Sequence, residues 1–303
     1  MKDNFTLNAF GDITLYGYQL SQTKQPKKVV ILVHGMAETI ARYDAFASYL
    51  SEHDFAVFAY DQRGHGKTAG NIEMLGELGD DGWNRMKHEL RKIVAMAREA
   101  YPDTPVFVFG HSMGSFVTRD FLFDFQHLID GVILSGTGYP SKSLILSGYR
   151  IASLIQTFKG PHYHSKLIDH LTFGAYTKKY DHPKTRFDWI SRDESEVQKY
   201  VNDPYCGALH PVGFFTAFSE NLKRILYDEY FKTSVLPKPM LLMSGSMDPV
   251  GDFGKGVKKS ADFYQDAGFL VNLKLYENGR HEMLNEINRS DVFNDIVNWL
   301  NDH

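Results

Sequence analysis

Five short runs of nearly uninterrupted apolar residues, Val29 to Val33, Ala56 to Ala59, Val106 to Phe109, Val132 to Leu134 and Met240 to Met243, constrain the fold more than any other feature. Strands of this texture are covered on both faces, since a strand with one wet face would alternate apolar with polar residues. Between most of them lie apolar residues at three- and four-residue spacing, over Ala41 to Ser51, Trp83 to Tyr101, Ser115 to Gln126 and Gly256 to Asp266. An opening hairpin has Ile13 to Leu20 as its second strand. A last strand, Val271 to Tyr276, precedes a closing helix of Asp291 to Leu300. Strands alternating with helices of this length build an α/β fold, a mostly parallel, doubly wound sheet.

The alternation stops between Thr137 and Pro237, where helical periodicities and turns surround no buried strand. A structureless loop of that length is foreign to a compact domain, so a helical insertion is the better account. The expected organisation is a core of 1–136 and 238–303 with a helical cap of 137–237. The first cap helix, Ser143 to Phe158, places Leu144, Ile145, Ile151, Leu154, Ile155 and Phe158 among few charges. Packing against the core accounts for this face better than a role at a lipid surface, although contact with a membrane or micelle through the cap stays open.

Val106 to Phe109 runs directly into Gly110-His111-Ser112-Met113-Gly114, a G-x-S-x-G pattern between strand and helix. Such a turn strains the backbone at the serine and brings other chain so close that a flanking Cβ would collide. It also aims the free N–H groups of the next helix at the same spot, where a developing oxyanion would sit. A serine hydroxyl needs a base, and the base needs an acid to fix its tautomer. Asp248 follows the strand Met240 to Met243, and His281 follows Val271 to Tyr276. Both stand at carboxyl ends of strands, where open α/β sheets gather reactive groups. The expected catalytic set is Ser112, Asp248 and His281, in the chain order that a serine elbow requires. Asp252 is a rival acid, and His111 is expected to point away from Ser112.

The loop after Val33, His34-Gly35-Met36-Ala37-Glu38, offers the Met36 N–H as one oxyanion donor, with the Met113 N–H as the second. Glu38 is a candidate substrate contact, but bracing of this loop, with Arg42 as partner, is favoured. In Asp61-Gln62-Arg63-Gly64-His65-Gly66 the charges are expected to pair with one another. Leu154 is a candidate substrate contact in the cap.

These residues together resemble an α/β-hydrolase of the monoacylglycerol lipase and lysophospholipase branch. The resemblance rests on His34-Gly35 with Glu38 and Arg42-Tyr43, on Asp61 to Gly66, on Gly110 to Gly114, and on Asp248 and His281. It implies a nucleophile at Ser112, an acid at Asp248, a base at His281 and oxyanion donors at Met36 and Met113. Ala37 and Ser115 stand where such proteins often carry glycine. The function implied is a serine carboxylic-ester hydrolase acting on monoacylglycerol- or lysophospholipid-like esters through an acyl-enzyme. Two alternatives are a proline-type aminopeptidase, with Asp193, Glu194 or Glu196 holding a free amino group, and a ligand-binding receptor with little turnover.

The rest of the composition narrows the field. With 303 residues, 43% hydrophobic and 23% charged, the chain can bury a large core. Its net charge of −4 and lack of a basic run argue against nucleic acid. Cys206 is the single cysteine, so no intrachain disulfide forms. His162, His164 and His170 lack acidic partners at ligand spacing, and no metal or cofactor is expected. With no apolar signal region and no run long enough to span a bilayer, the expected location is cytoplasmic.

Overall fold

The computed structural model describes residues 2–11, 13–227 and 236–303. Positions 1 and 12 of the expected core and 228–235 of the expected cap lie outside the described residues.

Each apolar run forms a strand: β3 Lys28–Val33, β4 Phe55–Tyr60, β5 Val106–His111, β6 Gly131–Ser135 and β7 Pro239–Gly245. The opening hairpin supplies β1 Lys2–Asn8 and β2 Thr14–Leu20, and β8 is Leu270–Tyr276. They make one sheet in the order β1-β2-β4-β3-β5-β6-β7-β8, antiparallel at β1–β2 and β2–β4 and parallel elsewhere. This is the doubly wound, mostly parallel sheet that the sequence implies.

Because successive side chains leave a strand on opposite faces, each apolar run feeds two cores. Val29, Ile31, Val106 and Val108 pack under helices α2 (Gly82–Ala100), α3 (Met113–Phe125) and α9 (Lys255–Asp266). Val30, Leu32, Phe107 and Phe109 face α1 (Asp44–Glu52) and α10 (Arg289–Asp302). The pattern over Ala41 to Ser51 divides into a 3-10 turn, Ile40–Tyr43, and then α1, with Thr39 Oγ1 accepting from the Ala41 N–H at the start.

Between β6 and β7 the described chain holds α4 (Lys142–Lys159), α5 (Lys166–Leu171), α6 (Phe173–Thr177), α7 (Glu194–Asn202) and α8 (Val212–Tyr227). One expectation fails here. α4 buries only Ile145 and Ala152, on the side where Gly148 meets Ser219 of α8. Leu144, Ile151, Leu154 and Phe158 form an outward stripe, with Phe158 78% exposed. α4 packs chiefly against α8, which covers one flank of it.

The loop Asp61 to Gly66 also departs from expectation. Arg63 pairs with Glu89 of α2 and donates to the Phe10 carbonyl, while Asp61 accepts from the Ile40 and Lys67 N–H groups. The loop's charged side chains are thus pinned to its surroundings rather than to one another. No helix among the described residues is long and apolar enough to cross a membrane.

Candidate active site

Ser112 takes φ 49° and ψ −118° between β5 and α3, a conformation that costs free energy in any residue with a Cβ. The flanking glycines let surrounding chain hold it there. A Cβ on Gly114 would lie 2.2 Å from the Val33 carbonyl oxygen, and one on Gly35 would lie 3.0 Å from Ser112 Cβ. Gly35 therefore passes close beside the serine side chain. On the other side, the Ser112 N–H donates to the Ser135 carbonyl at 2.9 Å. Met113, the first residue of α3, is buried with its N–H at the helix start.

Asp248 and His281 meet from two neighbouring turns. Both Asp248 carboxylate oxygens lie 3.0 Å from His281 Nδ1. One of them also accepts from Ser244 Oγ at 2.8 Å and the other from the Val250 N–H at 2.9 Å, so the carboxylate is buried with its lone pairs engaged. Asp252 is exposed and is not brought to the histidine. Burial alone would lower the His281 pKa, but the Asp248 carboxylate, with Glu282 and Glu38 behind it, turns the net shift upward. Among the described residues the buried His281 Nε2 has no hydrogen-bond partner. The Asp248 bond makes Nδ1 the protonated nitrogen of the neutral ring, which leaves Nε2 a free base.

Rings hold that base in place. His281 lies 4.6 Å, centroid to centroid, from His111 and 4.9 Å from Trp189. His111 turns its ring toward His281, with Nδ1 3.3 Å from Ser135 Oγ, and burial lowers its pKa so that it stays neutral. The backbone at 281–282 is tied to the segment between β6 and β7, since Glu282 N–H donates to the Ile190 carbonyl at 2.7 Å. Trp189, Ser244 and Tyr200 are residues that sequence reasoning missed. Ser244 had a signal, as it lies near the end of the strand that precedes Asp248; Trp189 and Tyr200 had none, because their partners are distant in the chain.

Glu38 is 3% exposed, and its carboxylate accepts from the Gly35 N–H and from Tyr43 Oη, the latter at 2.8 Å. Burial, then the Glu282 charge, pushes its pKa up against the pull of Arg42. Arg42 lies between them, 3.8 Å from Glu38 and bonded to Glu282, with its guanidinium 5.1 Å from the Tyr200 ring. Tyr200 Oη and the Gly207 N–H in turn donate to the Ala37 carbonyl at 2.7 and 2.8 Å. Glu38 thus faces inward as a brace of the 34–38 loop. Ala37 holds φ 57°, the left-handed conformation that favours glycine, under these bonds.

Leu154 is 62% exposed. Asp193 caps α7 and pairs with Arg289 at 2.8 Å, Glu194 pairs with Lys184 at 2.5 Å, and Glu196 with Lys199 at 2.7 Å. His162, His164 and His170 take three separate partners: Glu77, the Leu209 carbonyl and Lys178.

The chain is similar to known proteins over most of its length. The family described as Hydrolase_4, serine aminopeptidase S33, matches residues 24–288. The chain is 27% identical over 289 residues to the monoacylglycerol lipase of Mycolicibacterium smegmatis, covering 92% of this chain and 89% of that protein. It is 27% identical over 281 residues to the monoglyceride lipase of Rattus norvegicus, covering 91% and 82%. Among solved structures, a thermostable carboxyl esterase from Bacillus coagulans in complex with glycerol superimposes with a TM-score of 0.91 at 27% identity, over 99% of this chain and 98% of that one. The chain therefore belongs to the Hydrolase_4 (serine aminopeptidase S33) family of α/β-hydrolases and is a serine hydrolase of the carboxylesterase and lipase type.

Proposed function

We propose that the chain hydrolyses acyl esters of the monoacylglycerol or lysophospholipid kind through Ser112, His281 and Asp248. The supporting observation is the buried, unpartnered Nε2 of His281, whose opposite nitrogen is held by Asp248. In this reaction His281 Nε2 takes the Ser112 hydroxyl proton as Oγ attacks the ester carbonyl. The Met36 and Met113 N–H groups receive the oxyanion, the imidazolium gives its proton to the leaving alcohol, and a water activated by His281 then releases the fatty acid from Ser112. Asp248 keeps the ring oriented and stabilises its charged form.

The segment 137–237 acts in this proposal as a cap that selects substrate. The relatives named monoglyceride lipase support an acylglycerol, and the α4 stripe of Leu144, Ile151, Leu154 and Phe158 supports contact with a lipid or micelle surface. Esterase is favoured over aminopeptidase because Asp193, Glu194 and Glu196 are each paired with a cation of the protein, so none of these three candidates is free for a substrate amine. A cytoplasmic setting completes the proposal.

The test is steady-state hydrolysis over a chain-length series of monoacylglycerols and p-nitrophenyl esters, with Ser112→Ala beside the wild-type protein. Multiple turnover that rises with acyl length, and falls by about 10⁶ in the variant, is expected. Stoichiometric binding without turnover would favour a receptor, and turnover of aminoacyl-prolyl amides alone would favour the peptidase.

A further inference from the structure

Two bonds from one residue hold the Ser112 carbonyl oxygen. The Ser115 N–H donates to it at 2.9 Å, and Ser115 Oγ lies 2.6 Å from it. Ser115 Oγ is also 2.9 Å from Thr137 Oγ1, which is 3.3 Å from Arg119 Nη1. Arg119 Nη1 further donates to the Gly138 carbonyl and Nε to Tyr264 Oη, both at 2.9 Å. Ser115, Thr137 and Arg119 are all fully buried, so bulk water offers these hydroxyls no substitute partner.

A guanidinium only donates and a carbonyl oxygen only accepts. Thr137 Oγ1 accepts from Arg119 and also from Ser115 Oγ, whose single hydrogen lies between Thr137 Oγ1 and the Ser112 carbonyl. These contacts form a relay that links Arg119 through Thr137 and Ser115 to the carbonyl of Ser112. Among the described residues the partners of Arg119 are neutral oxygens and the rings of Phe116 and Tyr264, at 5.3 and 5.2 Å, so no carboxylate cancels the charge at the head of the relay.

We infer that this relay orients and polarises the Ser112–Met113 peptide, which makes Ser115 and Thr137 positioning residues for the oxyanion site. The peptide that owns the Ser112 carbonyl also owns the Met113 N–H. Drawing electron density through the oxygen strengthens the N–H as a donor, by about 10–30% per bond in such chains. The same bonds pin the peptide plane beside a residue at φ 49°, where backbone strain would otherwise relax by turning the N–H away. Ser115 stands where glycine is frequent in the family that the chain resembles, and a glycine has no side chain to carry the relay. The inference deepens the proposed esterase reaction and rests on it.

The experiment compares Ser115→Ala, Thr137→Val, Thr137→Ser and the Ser115→Ala/Thr137→Val double variant on a short soluble ester. A trifluoromethyl ketone serves as second probe: Ser112 Oγ bonds to its carbonyl carbon, the hydroxyl proton passes to His281, and the former carbonyl oxygen becomes an oxyanion. Ser115→Ala and Thr137→Val should each lose about tenfold in kcat with KM within about twofold, and the ketone Ki should rise by the same factor. Thr137→Ser, which keeps the hydroxyl, should restore both values, and the double variant should be no worse than the poorer single one. The relay is overturned if Ser115→Ala and Thr137→Val keep wild-type kcat, if ketone affinity stays constant while kcat falls, or if Thr137→Ser fails like Thr137→Val. Retained turnover in Ser112→Ala removes the esterase reading and the relay together. An inactive Ser112→Ala beside an unaffected Ser115→Ala removes the relay alone.

Discussion

α3 and α4 both carry many large apolar side chains, yet they live in opposite surroundings. Every residue of α3 from Met113 to Leu122 is buried, because the sheet lies under it and α2 and α8 pack beside it. α4 buries two residues and turns Leu144, Ile151, Leu154 and Phe158 outward. Apolar spacing says that a helix has an apolar face. It does not say what covers that face, since coverage is a property of the neighbours.

Under the proposed function, chemistry and stability belong to the sheet side and recognition to the α4 side, and four measurements can break that contrast. The largest effect concerns the acid. Asp248→Asn should lower kcat by about 10⁴ with the fold intact, while Asp252→Asn leaves it near the wild-type value; the reverse result would move the acid to Asp252. Next comes packing: Phe121→Ala in α3 should cost about 3–5 kcal/mol in a denaturation experiment, against about 0.5 kcal/mol or less for Phe158→Ala in α4. Similar costs would mean that α4 is a core helix.

Acid supplies the third. Burial lowers the pKa of His34 to about 4 and of His65 to about 3, where the second cause is the nearby His34. Between those values and the ordinary 6.5 the unfolded chain binds more protons than the native one, so stability is full above pH 6.5 and drains as pH falls, by up to about 1.4 kcal/mol per pH unit for each histidine. Part of that loss should appear at the seam between the two regions, where His65 and His210 of the 137–237 segment meet Nε2 to Nε2 at 3.1 Å. A Tm that stays flat from pH 7 to 4.5 contradicts this. Activity falls in the same direction for a separate reason: His281 must be neutral to act as base, so kcat/KM should decline as pH drops through its raised pKa. The smallest effect is expected for Leu154→Asp, a few-fold loss on micellar monoacylglycerol with short soluble esters within about twofold. Equal loss on both would make Leu154 a stability residue.

Much of the core was legible because its signals are local. The strand runs, the glycines about Ser112 and the position of Asp248 and His281 after strands all depend on residues close in sequence. Where a side chain finds its partner far along the chain, local reading failed. Arg63 was expected to pair within Asp61 to Gly66 and instead reaches Glu89. Trp189, which stacks near His281 from a distance of more than ninety residues, carried no sequence signal at all.

The amino-acid sequence by itself determined the order of elements and the strained turn that presents Ser112, because backbone sterics and apolar period act over a few residues. Only the tertiary structure decided which carboxylate meets His281, that Glu38 faces inward, that the α4 stripe faces out, and that Arg119 is linked through Thr137 and Ser115 to the Ser112 carbonyl. Those outcomes depend on distances between segments remote in the chain, which close packing of the whole molecule sets.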